Sequence, residues 1–89
     1  MGKRTKKEMK AALSAVLSLA RKAGDKGLMF SFYINHDSDG MWFTGFVKTE
    51  DAEFERDSAD CHYYDIYNFQ KLEVIEKNIK AIEDFIVKH

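Results

Sequence analysis

The hydrophobic period of the chain changes twice, and that succession limits the architectures open to it. Met9, Ala12, Leu13, Val16, Leu17, Ala20 and Ala23 recur at steps of three and four, while Lys10, Ser14, Ser18, Arg21 and Lys22 fall mostly between them. This is one apolar face of an α-helix. From Leu28 the period becomes two: Leu28, Phe30, Phe32 and Ile34 alternate with Met29, Ser31, Tyr33 and Asn35, as in a strand whose successive side chains point to opposite faces. Leu72, Ile75, Ile79, Ile82 and Ile86 return to steps of three and four, and Phe69 and Phe85 widen that stripe. Helix, β-segment and helix in this order predict an α+β domain.

Local signals set the expected boundaries. Thr5-Lys6-Lys7-Glu8 has the Thr-x-x-Glu form in which a hydroxyl and a carboxylate satisfy the first amides of a helix, so the first helix is predicted to begin near Thr5. Gly24 is expected to take the left-handed position that ends it, with Asp25-Lys26-Gly27 as the connection. His36-Asp37-Ser38-Asp39-Gly40 is turn chemistry and Met41–Thr49 an aromatic, β-branched return strand, so the pair reads as a hairpin. Gly45 inside that second strand signals a bulge or a close backbone approach. Residues 50–60 are too acidic for a buried strand, although Phe54 can anchor a short edge strand or loop. Cys61 to Tyr67 is aromatic enough for a third strand or an extended approach to the last helix, where Asn68 is expected to cap. Glu73 with Lys77 and Glu76 with Lys80 have favourable four-residue spacing on that helix. The expected order is α-β-β-(β)-α, a single domain over residues 1–89 in which two amphipathic helices pack on one face of a small antiparallel sheet.

Size and cysteine content exclude several classes. A chain of 89 residues, 45% hydrophobic, can close one core without outside help. Cys61 is the single cysteine, so no internal disulfide forms, and a reducing, cytoplasmic setting is expected. The basic opening followed by the apolar Ala11–Ala20 imitates a secretory leader. Glu8 in the basic region and serines and alanines diluting the run argue against that reading. Gly2 lacks the hydroxyl residue that myristoylation wants at position 6, where Lys6 stands. No membrane association is expected.

A net charge of -1 hides a segregation. Residues 1–27 carry eight cations against two acids, a net +6, and residues 28–67 carry nine acids against two cations, a net −7. The remainder balances four lysines against four acids. The basic cluster Lys3, Arg4, Lys6, Lys7 and Lys10 can neutralise phosphates from the first turns of a helix. The α-β-β-β-α order also resembles that of double-stranded RNA-binding domains. Those domains carry a basic start to the second helix, whereas Asn68-Phe69-Gln70-Lys71-Leu72-Glu73 holds one lysine and one glutamate. A pI near 6.3 also departs from a typical nucleic-acid binder, and a solvated, solubilising lysine-rich end accounts for the same residues.

Catalytic and metal constellations are weak. Asn35, Asp37, Asp39 and Gly40 match the first half of a calcium loop, but the bidentate acid is replaced by Phe46 and the flanks read as strands. A plain hairpin turn accounts for the same residues. His36, Asp37, Asp39, Asp60, Cys61 and His62 are the groups available to a transition metal or a Cys–His pair. Cys61 and His62 are neighbours in an apparent strand, so they are expected on opposite faces, out of hydrogen-bond reach. No catalytic residue, metal or cofactor is expected.

The acidic middle carries the sharper functional expectation. Asp37, Asp39, Glu50, Asp51, Glu53, Glu55, Asp57 and Asp60 are expected to gather on one side of the hairpin, with Trp42, Phe54, Tyr63 and Tyr64 interspersed. Charge steers encounter and aromatics anchor contact, so the expected function is a non-enzymatic protein-binding module, a small inhibitor or adaptor acting on a larger protein. The expected partner is a larger protein with a basic groove, such as one in a nucleic-acid-processing complex, and phage or mobile-element inhibitors of host nucleases or defence proteins share this composition by analogy. A solvated loop that blunts sheet-edge aggregation is the plainer reading of the same acids. Nucleic-acid binding by the basic first helix is the alternative function. Ala11, Ala12, Ala15, Ala20 and Ala23 leave that helix thin enough for a homodimer contact.

Overall fold

The computed structural model describes residues 3–55 and 58–89. Its elements run α1 (Lys6–Asp25), β1 (Met29–Asp37), β2 (Gly40–Lys48), β3 (Cys61–Ile66) and α2 (Leu72–Lys88). The three strands form one antiparallel sheet in the order β1-β2-β3, and both helices pack on one of its faces. The fold is the expected small α+β domain, with the third strand present.

Helix α1 starts where the sequence signal places it. The Thr5 hydroxyl accepts from the Glu8 amide at 3.1 Å, and the Glu8 carboxylate accepts from the Thr5 amide at 2.8 Å. The Thr5 amide, with Arg4 nearby, holds the Glu8 carboxyl below the ordinary carboxylate range. Its folded pKa therefore lies below the unfolded one. The cap's contribution is present above the unfolded pKa and is lost as pH falls through the folded value. Replacing Thr5 with alanine is expected to cost about 1 kcal/mol in urea unfolding at neutral pH, and an unchanged midpoint would rule the cap out as a stabilising element.

The end of α1 lies three residues beyond the expected one. Gly24 remains helical, and Gly27 takes the left-handed conformation with φ 76°. The Gly27 amide donates to the Gly24 carbonyl at 3.0 Å and the Leu28 amide to the Ala23 carbonyl at 2.9 Å, closing the paired-bond motif of a glycine-terminated helix. Two glycines competed for one role, and the one followed by the apolar Leu28 took it. The buried stripe of α1 is Met9, Ala12, Val16, Leu19 and Ala23. It includes Leu19 and leaves Leu17, expected inside, 47% exposed.

Helix α2 keeps the isoleucines of its stripe but starts later than expected, and Leu72 at its first turn, expected inside, is 39% exposed. Ile75, Ile82 and Ile86 are buried, whereas Phe69 precedes the helix and is exposed. The N-cap residue is Lys71, with no side-chain hydrogen bond. Asn68 is instead buried and donates from Nδ2 to the Asp39 carbonyl at 2.7 Å, tying the β1–β2 turn to the approach to α2. The ion pairs on α2 run from Lys80 to Glu83 at 3.4 Å and Asp84 at 3.2 Å, in place of the expected pairs with Glu73 and Glu76 as donors of charge.

The helices run parallel. The Arg4 amide beside the start of α1 donates to the Asn68 carbonyl before α2 at 2.6 Å, and Lys26 beyond the end of α1 donates from Nζ to the Ile86 and Val87 carbonyls at 2.6 and 3.2 Å. A lysine thus satisfies carbonyls that the last turn of α2 leaves open. Ala12 and Ala23 lie in this chain's own core, so the slimness of α1 first serves packing within the domain. Among the described residues, no helix is long and apolar enough to cross a membrane.

Candidate functional site

Strand parity divides the sheet into two chemically different faces. Phe43, Val47, Tyr64 and Ile66 are buried under the helices, with Phe30 and Phe32 packed against them. The pairings Phe43 with Ile66, Gly45 with Tyr64 and Phe32 with Gly45 place these residues on one face. Their neighbours point the other way. Tyr33 from β1, Trp42, Thr44 and Phe46 from β2, and Tyr63 and Asp65 from β3 therefore share the face that no helix covers.

Aromatic rings line that open face along its length. At its centre, Tyr33, Thr44, Gly45, Phe46, Tyr63 and Asp65 surround a shallow depression of about 350 Å³. The Phe46 and Tyr63 rings are 5.7 Å apart, and Phe54 meets Phe46 edge-on at 5.0 Å. Towards the hairpin, Trp42 shares a cleft of about 360 Å³ with Tyr67, Phe69, Asp37, Asp39, Lys3 and Asn68. Tyr67 and Phe69 stack at 5.0 Å with their planes 12° apart. Stacked and edge-on geometries of this kind are favoured arrangements of aromatic pairs, and Phe54 and Phe69 are their exposed members.

Lys48 organises the acidic loop. It lies on the open side of β2 yet is only 3% exposed. Its ammonium donates to the carbonyls of Thr49 at 3.3 Å, Glu50 at 3.1 Å and Ala52 at 2.9 Å, and sits 4.8 Å from the centre of the Phe54 ring. Three donors meet three acceptors, which meets the requirement for burying an ammonium group. The loop carrying Glu50, Asp51, Glu53 and Glu55 is thereby folded over the end of the sheet, with Phe54 63% exposed on its outside.

The expected acidic cluster is two clusters. Asp37 ends β1 and Asp39 sits in the hairpin turn, whereas Glu50, Asp51, Glu53, Glu55 and Asp60 lie beyond the other end of β2. Eight residue steps separate Gly40 from Lys48, about 27 Å at the rise of a strand. The hairpin pair is also partly neutralised, because Lys3 Nζ lies 3.4 Å from the Asp39 carboxylate and donates to its carbonyl at 3.2 Å. Asp57 lies outside the described residues. Trp42 and Tyr63 lie half-buried on the open face, but Tyr64, expected with them, does not. It is 4% exposed, and its hydroxyl donates to the Ser31 carbonyl at 2.7 Å beneath the helices. Burial holds the Tyr64 hydroxyl protonated well above the ordinary phenol range. Tyr33, a surface candidate on its alternation, is 62% exposed there, whereas Phe46, Tyr67, Phe69 and Asp65 join the open face without having been singled out beforehand. For Phe46, alternation with Trp42 along β2 was the available signal.

The remaining candidates are dispersed. Cys61 is 1% exposed at the start of β3, and His62, its neighbour, stacks on Phe85 of α2 at 6.1 Å from the opposite face. His36 pairs with Met41 at the hairpin end, far from Cys61, which pairs with Lys48. His89 reaches Asp60 at 3.3 Å and stacks on Phe85 at 4.2 Å. Among the described residues, no three His, Cys, Asp or Glu side chains converge as metal ligands would. The basic cluster sits at the hairpin end, with Arg4 3.7 Å from Glu8 and Lys6, Lys7 and Lys10 exposed on α1. No family model, curated protein or solved structure matches this chain.

Proposed function

We propose that the protein is a non-enzymatic binding module that engages a larger protein through the open face of its sheet and the acidic loop beside it. One observation carries this reading: a sheet face left uncovered by helices presents an aromatic strip, and a buried lysine ties an acidic loop to its edge through three carbonyls. Aromatic anchors with few rotamers lose little entropy on binding, and flanking carboxylates steer a basic partner surface. Tyr33, Trp42, Phe46, Phe54 and Tyr63 supply the anchors, and Glu50, Asp51, Glu53 and Glu55 the field. Carboxylates beside the rings repel a phosphate backbone, which favours a protein partner over nucleic acid on this face. A protein whose own groove is basic, such as a nucleic-acid-processing enzyme, is the complementary target. Occupying that groove makes the module an inhibitor or an adaptor.

The test is capture of bound material on tagged protein from a lysate of its source, followed by quantitative binding. Glu53→Lys with Glu55→Lys is expected to leave the melting curve unchanged and to weaken the captured protein's binding by about tenfold or more. Lys3, Lys6 and Lys7 changed together to alanine are expected to leave it unaltered. A nucleic-acid-rich eluate that empties with salt and is lost in the lysine variant would replace this reading with phosphate binding by α1.

A further inference from the structure

We propose that the free edge of β1 pairs antiparallel with β1 of a second copy, closing a six-stranded sheet about a twofold axis at Tyr33. Strand β1 is one of the two sheet edges and pairs with β2 without interruption from Met29 to Asp37. An edge strand offers unpaired backbone groups to any other strand unless it is short, charged, bulged, broken by proline or covered. The other edge is protected in such ways. Strand β3 has six residues, carries Asp65, and has its Asp65 carbonyl occupied by Asn78 Nδ2 from α2 at 3.0 Å.

Strand β1 lacks these devices. It has nine residues, and from Leu28 to His36 there is neither a charge nor a proline. Met29, Tyr33 and Ile34 are 43%, 62% and 52% exposed, and the large apolar side chains that the described strands leave exposed all lie on β1. Pairing centred on Tyr33 sets Phe32 of each copy opposite Ile34 of the other on the helix side, and Ser31 opposite Asn35 on the open side. The sole charge, Asp37, falls opposite Met29. No like charges meet, and apolar and polar side chains each find their own kind across the strands.

Charge on the molecular scale agrees with this orientation. The basic cluster of α1 sits at the hairpin end, and the acidic loop after β2 at the other. Antiparallel pairing lays the basic end of one copy beside the acidic end of the next. A twofold contact uses the same patch on both copies and so closes at two, with only the protected β3 edges left outside. The dimer joins two open aromatic faces into one surface, but its existence does not rest on what that surface binds.

Sedimentation velocity of the purified chain over about 10 to 500 μM decides the matter. The expected result is a concentration-dependent shift from the 10.3 kDa chain mass to twice that value. Tyr33→Lys and Tyr33→Glu should each remain monomeric over the same range, because each sets like charges across the axis. An equimolar mixture of the two should recover the dimer. Ile34→Lys should lose it from a second position. Circular dichroism melting curves confirm that the variants are folded. A wild-type monomer throughout, a dimer that survives Tyr33→Lys, or a mixture that stays monomeric would each overturn the proposal.

Discussion

Gly45→Val is expected to be the most damaging single change, lowering stability by about 3–5 kcal/mol from overpacking combined with loss of a buried hydrogen bond. The Tyr64 ring crosses the middle strand at this position to reach β1, and its hydroxyl donates to the Ser31 carbonyl. A Cβ on Gly45 would run into that carbonyl and into the Tyr64 hydroxyl and ring. Neither neighbour can yield cheaply, because one is backbone and the other is packed at 5.8 Å against Phe30 under the helices. The register of β2 continues through Gly45 with Phe32 on one side and Tyr64 on the other, so of the two roles open to this glycine, the close approach is the one it fills. Urea unfolding measures the loss, and a thermal midpoint roughly 15–25 °C lower is its counterpart in a domain of this size. The milder Gly45→Ala should lose less in a Tyr64→Phe background than alone, since the hydroxyl is one of the atoms it strikes. A loss under about 1 kcal/mol for valine would mean that Tyr64 does not hold this position.

Lys48→Met is expected to have the next largest effect, costing about 2 kcal/mol as three carbonyls lose their common donor. The unbranched methionine fills the space of the lysine stem, so the change isolates the ammonium. Release of the loop should appear as faster amide exchange over residues 49–55, including the Ala52 amide that donates to the Thr49 carbonyl at 3.1 Å. The same variant should weaken capture of a protein partner, although Lys48 itself is nearly inaccessible. That combination separates a residue that positions the interface from one that touches it: Glu53→Lys with Glu55→Lys lowers binding without loosening the loop, whereas Lys48→Met does both. Unchanged exchange over the loop, with stability within about 0.5 kcal/mol of wild type, would remove Lys48 from this role.

The sites divide sharply by how far apart in the chain their determinants lie. Thr5 and Glu8 cap α1 through contacts three residues apart, and the hairpin from Met29 to Lys48 follows from alternation on both sides of an Asp-Ser-Asp-Gly turn. Such features need only local geometry. Asn68 had the chemistry of a helix cap, but the nearby Asp39 carbonyl drew its amide into a contact between residues 29 positions apart. In the sequence Lys48 is a strand-end lysine like any other, and no local pattern announces three carbonyls arriving from the following loop. The division of the acids into two clusters follows from the length of β2 once the strands are paired.

By itself the sequence determined the two helices, the start of α1, the hairpin and the isoleucine stripe of α2, because periodicity and capping act within a few residues. Tertiary structure alone decided which parity of each strand the helices would cover. Tyr63 and Tyr64 are adjacent tyrosines, and alternation requires them to face opposite ways without saying which goes inside. Pairing of Tyr64 with Gly45 settles it, since only there does a missing side chain leave room for a ring to lie across the sheet. That choice buries Tyr64 and leaves Tyr63, Tyr33, Trp42 and Phe46 together on the open face.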